Sequence, residues 1–96
     1  MTEEIFDFDP AEMLDSDEAV EAYLDEVLKT GDAKFIASAL GVVARVKGMT
    51  KISKETGLAR EHLYVALSEN GNPTLETTLA VLKAFGLELT TKRHAA

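Results

Sequence analysis

Met49-Thr50-Lys51-Ile52-Ser53-Lys54-Glu55-Thr56-Gly57-Leu58-Ala59-Arg60-Glu61-His62-Leu63-Tyr64-Val65-Ala66-Leu67 decides the fold of this chain. It reads as a short helix, a glycine turn and a second short helix. Thr50 can cap the first helix, because its hydroxyl accepts an orphan N–H of the opening turn. Gly57 ends that helix, since glycine enters the left-handed conformation without a Cβ penalty. Leu58 turns back into the core. In the second helix, from about Ala59 to Leu67, residues Leu63, Ala66 and Leu67 fall at i, i+3 and i+4, one buried stripe. The face left over carries Ala59, Arg60, Glu61, Tyr64 and Val65. One face held by a core and the other free is what a major-groove recognition helix requires. The same spacing also fits an ordinary corner of a helical bundle. Two features favour nucleic acid. Ser53 is small enough for close crossing of the two helices, and Arg45, Lys47, Lys51, Lys54 and Arg60 collect around the turn.

Upstream, two longer helices are expected. Asp32 is the N-cap of one that runs to about Lys47, with Ile36, Ala39, Leu40, Val43 and Ala44 inward and Gly48 closing it. Arg45 and Lys47 sit in its last turn, where they suit the helix dipole and also stand near enough to the turn for phosphate contact. Ser16 caps the other, about residues 17–30, with Asp17 and Glu18 in the first turn. Val20, Tyr23, Leu24, Val27 and Leu28 give its stripe, and Gly31 stops it. Before it, Phe6-Asp7-Phe8-Asp9-Pro10 alternates aromatic and acid. This segment either folds back on the core or contacts a partner.

Downstream, Asn70-Gly71-Asn72-Pro73 is a turn signal. Thr74 caps a last helix, about residues 75–85, with Leu75, Leu79, Leu82 and Phe85 inward and Gly86 ending it. Residues 87–91, Leu-Glu-Leu-Thr-Thr, alternate. They are either loop or a short C-terminal strand that pairs with the same strand of a second subunit. The expectation is an all-α domain of five helices, residues 16–91, with an acidic arm at 1–15 and a tail at 92–96.

Ninety-six residues, 46% of them apolar, allow a modest core in one small domain. With no cysteine there is neither a disulfide framework nor a thiolate metal site. No run approaches the ~20 apolar residues of a membrane span, and the acidic start lacks a signal-peptide core, so a cytoplasmic protein is expected. The net charge of -7 is unevenly spread. Residues 1–32 hold twelve acids and one base, a net of -11; residues 33–96 hold nine bases and five acids, a net of +4. The two halves suit different partners. No phosphate-binding glycine loop, dinucleotide fingerprint or H-E-x-x-H motif occurs. Asp15, Asp17 and Glu18 lack the turn glycine and later glutamate of a calcium loop. His62 shares a face with Ala66, which suggests partial burial or a DNA-edge contact rather than catalysis. An enzyme, a metal and a cofactor are not expected.

Phe8-Asp9-Pro10-Ala11-Glu12, Leu14-Asp15-Ser16-Asp17-Glu18-Ala19 and Tyr23-Leu24 resemble the start of the helix-turn-helix addiction-module antidote proteins, the HigA-like antitoxins with an Xre-type motif. Gly48-Met49-Thr50, Glu55-Thr56-Gly57-Leu58, Arg60-Glu61, Leu63-Tyr64, Ala66-Leu67-Ser68 and Gly71-Asn72-Pro73 resemble the second block of that family. Leu79, Val81-Leu82 and Gly86-Leu87 continue it. The resemblance covers roughly residues 6–90.

It implies an antitoxin that neutralises a small basic RelE/ParE-like (HigB-type) toxin and represses its own operon on double-stranded operator DNA as a homodimer. An acidic arm suits a basic toxin, and a mildly basic domain suits phosphate. The DNA-binding residues it implies are Thr50, Lys51, Lys54, Ala59, Arg60, Glu61, Tyr64 and Val65, with Arg60 the base reader because arginine bonds bidentately to guanine. The toxin-binding candidates are Phe6, Phe8, Met13 and Leu14. Ala59 and Val65 depart from the family pattern, which favours Ser or Thr and Lys there. A monomer should therefore bind weakly, and two subunits on two half-sites are needed. The alternatives are an interaction module, or degenerate antitoxin, without DNA binding, and a plain phage-type repressor.

Overall fold

The structure is a computed structural model that describes residues 10–94. Its elements are a 3-10 turn at Pro10–Met13 followed by five α-helices: α1 (Asp17–Lys29), α2 (Ala33–Lys47), α3 (Met49–Thr56), α4 (Arg60–Ala66) and α5 (Leu75–Ala84). The all-helical expectation holds. The optional C-terminal strand does not: among the described residues there is no strand, and residues 87–94 belong to no regular element.

Caps fix the first two helices. Ser16 accepts the Ala19 N–H at 3.1 Å, and Asp32 accepts those of Lys34 and Phe35. Each satisfies donors that a helix start leaves open. The two helices run antiparallel, because Lys47 at the end of α2 reaches Asp17 at the start of α1, Nζ to Oδ1 3.2 Å. That pairing also corrects the phosphate role considered for Lys47: its ammonium is engaged, and its side chain is only 20% exposed.

α2 is the central helix. Ala39, Leu40, Val43 and Ala44 are buried as the periodicity requires, and Ala37 and Gly41 are buried as well. The wider buried arc is explained by its neighbours: α1, α3, α4 and the 3-10 turn all pack on α2. The core joins Leu24, Leu40, Val43, Ile52, Leu63, Leu67 and Val81.

Two expectations about the shorter helices need correction. Thr50 is not a cap; α3 starts at Met49, its N-cap is Gly48, and no side chain caps it. Gly48 closes α2 and opens α3 at once, leaving no room for a separate capping residue. In α5, Leu82 and Phe85 are buried, but Leu75 and Leu79 are 67% and 44% exposed. The inward face is instead Thr77, Val81, Leu82 and Phe85. Thr77, Val81 and Phe85 follow each other at i+4, and Leu75 and Leu79 stand on the flank of that arc. Leu28 of α1 is likewise 39% exposed, at the edge of its stripe. No helix among the described residues is long and apolar enough to cross a membrane.

Candidate nucleic-acid interface

The turn between α3 and α4 is built from three local decisions. Gly57 adopts φ 76°, ψ 9°, and its N–H donates to the Ser53 carbonyl at 2.9 Å. A side chain there would pay the left-handed penalty. The Ser53 hydroxyl donates to the Leu58 carbonyl across the turn. The Thr56 hydroxyl donates to the Ile52 carbonyl and accepts the Leu58 N–H. Ser53 is thus more than a small residue at a crossing; it ties the two helices together.

α4 then presents two faces. Leu63, Ala66 and Leu67 are buried, at 0%, 7% and 1% exposure. Ala59, Arg60, Glu61, Tyr64 and Val65 are exposed, as their place outside the stripe requires, and Val65 reaches 71%. Thr50, Lys51 and Lys54 on α3 are exposed too. His62 is exposed rather than partly buried. All eight residues expected at DNA therefore lie on the surface of one helix-turn-helix.

Arg60 makes no salt bridge among the described residues. Its guanidinium lies over the Tyr64 ring one turn on, 5.9 Å from the centroid. Arginine over an aromatic face is favourable and restricts the guanidinium without neutralising it. The i, i+4 spacing was the available signal for this pair. Ala59 occupies the N-cap of α4 with no side-chain hydrogen bond, so the helix begins uncapped.

The close approach that seats α4 is at Gly41. A Cβ added there would lie 2.0 Å from the Leu67 carbonyl oxygen. Only a glycine on α2 lets the end of α4 pack that near. The sequence does not single out this positioning residue, although a glycine inside a helix costs about 1 kcal/mol.

The second candidate surface is acidic. Glu18, Glu21, Asp25 and Glu26 are exposed on α1. Lys29 bridges Asp25 and Glu26, each at 3.3 Å, and the hydrogen bond to Glu26 first, then that to Asp25, holds its ammonium above the usual lysine pKa. Of the four toxin-binding candidates, Phe6 and Phe8 lie outside the described residues. Met13 is 61% exposed. Leu14 is 5% exposed and belongs to the core of this chain, so it is corrected from a contact to a packing residue. An apolar side chain directly after a turn that packs on α2 is more favourably buried than wet.

A family model described as "Probable addiction module antidote protein" matches residues 4–93. The chain belongs to this family of antidote proteins. A protein of Haemophilus influenzae (strain ATCC 51907 / DSM 11121 / KW20 / Rd), described as an "Uncharacterized protein", is 47% identical over 88 residues, covering 92% of this chain and 91% of the relative. No solved structure matches. Membership gives the chain the role of antidote in an addiction module, hence of an antitoxin, and implies a toxin as its partner.

Proposed function

We propose that this antidote neutralises a small basic toxin of the RelE/ParE-like (HigB-type) class and represses its own operon as a cytoplasmic homodimer bound to double-stranded DNA through α3 and α4. It is a binding protein and not an enzyme. One observation carries the DNA reading: α4 is held from one side by Leu63, Ala66 and Leu67, while Arg60, Glu61, Tyr64 and Val65 are left to solvent. A helix so held can enter a major groove without unfolding anything. Lys51, Lys54 and Arg45 are exposed beside it and supply charge for phosphate. The toxin reading rests on charge. A basic partner is drawn to the half of the chain that has net -11, which includes the exposed acids of α1.

A second reading has support of its own. The uncapped start of α4 at Ala59 and the apolar, 71% exposed Val65 both weaken DNA contact. They suit an antitoxin that keeps its toxin and has lost its operator. Co-expression with the product of the neighbouring gene, followed by titration of the purified complex onto upstream DNA at two salt concentrations, separates the two. A stoichiometric complex with salt-sensitive DNA binding supports the dual role. A complex that ignores DNA supports the second reading. DNA binding with no protein partner refutes both toxin assignments.

A further inference from the structure

Val65 is 71% exposed, more than any other large apolar side chain among the described residues. Exposure of a single valine says little by itself. Its surroundings say more. Val65 stands one turn after Glu61, on the face of α4 that also carries Arg60 and Tyr64 and across the helix from the buried Leu63, Ala66 and Leu67. Lys51 and Lys54 of α3 are exposed as well. The Tyr64 ring is engaged by the Arg60 guanidinium, 5.9 Å from its centroid. Val65 has no such neighbour, yet it is rigid, because a helical valine holds one side-chain rotamer almost throughout. The backbone beneath it is fixed too. The Ser68 hydroxyl donates to the Val65 carbonyl at 2.9 Å, and a Cβ at Gly71 would lie 2.4 Å from that same oxygen, so the following turn closes tightly on it. A cationic face with one stiff, uncovered apolar side chain fits a polyanion that offers an apolar group.

We propose that Val65 is a specificity residue that packs on the C5-methyl of a thymine in the major groove of the operator. In that groove only thymine presents an apolar group; the other bases show donors and acceptors alone. The valine side chain has neither donor nor acceptor, so thymine is the one base whose edge it complements. Val65 follows Arg60 by five positions, about 7.5 Å along the axis at about 1.5 Å per residue. Side chains three residues apart on a helix in the major groove can meet successive bases. The thymine therefore lies one or two base pairs from the base that Arg60 reads. A cation at position 65 would add attraction to phosphate without sequence information; valine supplies the reverse. The contact rests on the repressor reading above and gives that reading part of its operator sequence.

The test titrates the full chain onto duplexes of the DNA upstream of its gene in which each thymine in turn is replaced by deoxyuridine. The replacement removes the methyl and keeps every hydrogen-bonding atom of the base. At one thymine it should weaken wild-type binding about fourfold, the loss of one buried methyl. Val65→Ala should bind the unmodified duplex about as weakly, and the same replacement should then cost it less than about twofold, since the partner methyl has already lost its contact. Val65→Lys should bind both duplexes alike and with a steeper salt dependence. Unchanged helical circular dichroism controls for the folding of both variants. Wild-type binding that no deoxyuridine alters overturns the proposal and leaves the repressor reading standing. A V65A that still discriminates at that thymine gives the methyl to another side chain and overturns it as well. Failure of the wild type to bind upstream DNA at low salt refutes the repressor reading and the thymine contact with it.

Discussion

Gly41→Ala is the substitution for which the structure fixes both a sign and a size. At an open site in a helix it would stabilise by about 0.8–1 kcal/mol, because glycine gives up more backbone freedom. At Gly41 the new methyl meets the Leu67 carbonyl oxygen at 2.0 Å. That oxygen belongs to backbone, so it cannot rotate away. Relief to ordinary contact at 3.4 Å needs α2 and the end of α4 to separate by about 1.4 Å, and overpacking of this kind costs typically about 1–3 kcal/mol. Set against the helix gain, the net expectation is destabilisation by up to about 2 kcal/mol, up to roughly 16 °C in Tm for a domain of this size. Thermal and urea unfolding followed by circular dichroism check it, with Gly57→Ala as a contrast. Gly57 has open space where a Cβ would go but φ 76°, so its cost of about 1–2 kcal/mol is conformational alone. If G41A melted at or above the wild-type temperature, the claim that Gly41 seats α4 would be wrong.

The remaining predictions address α4 and the arm. Arg60→Ala should weaken operator binding by ~1–3 kcal/mol and relax specificity at one base pair, measured by titration against single-base operator variants; equal affinity would remove Arg60 from base reading. Ala59→Ser should raise stability by about 0.5–2 kcal/mol by capping α4, and a flat Tm would mean that the helix start is already satisfied in solution. Leu63→Ala should cost about 2–5 kcal/mol in urea unfolding, whereas Val65→Ala should stay within about 0.5 kcal/mol; a comparable loss at both would contradict the two-faced helix. Deleting residues 1–9, a cut that spares the buried Leu14, should weaken toxin neutralisation in a growth-rescue assay. Full rescue by the shortened chain would take the arm out of the toxin contact.

Much of the fold was legible wherever two independent signals coincided. α1 and α2 each joined an apolar stripe to a capping residue, Ser16 and Asp32, and both helices begin where those caps place them. Gly57 was readable for the same reason, because a left-handed glycine and a returning Leu58 bracketed the turn. Single signals failed. Leu75 and Leu79 have a helical period but stand on the flank of the buried arc, and a stripe of leucines does not say which neighbour it meets. Thr50 has a capping side chain but lies within α3, two residues past the Gly48 N-cap. In the sequence Lys47 belongs to the positive cluster, and nothing there shows that α2 folds back and sets it against Asp17, thirty positions away. The stacking of Arg60 on Tyr64 and the approach of Gly41 to Leu67 are tertiary facts whose sequence traces, an i+4 spacing and a mid-helix glycine, are common enough to carry no weight alone.

α4 has seven residues and no cap. A peptide of that length would not hold a helix in water, since nucleation outweighs so few hydrogen bonds. Its order comes from burial of Leu63, Ala66 and Leu67 and from the tied turn at Ser53, Thr56 and Gly57. Two buried leucines are worth roughly 1.5–3 kcal/mol each in transfer free energy, far more than any exposed residue of the helix supplies. The exposed positions 60, 61, 64 and 65 are thereby released from the work of folding. They can change charge or size with little effect on the scaffold, which is what a surface that must match a particular partner requires. The departures at Ala59 and Val65 fit this division. They alter what the face can bind while the positions behind it remain packed.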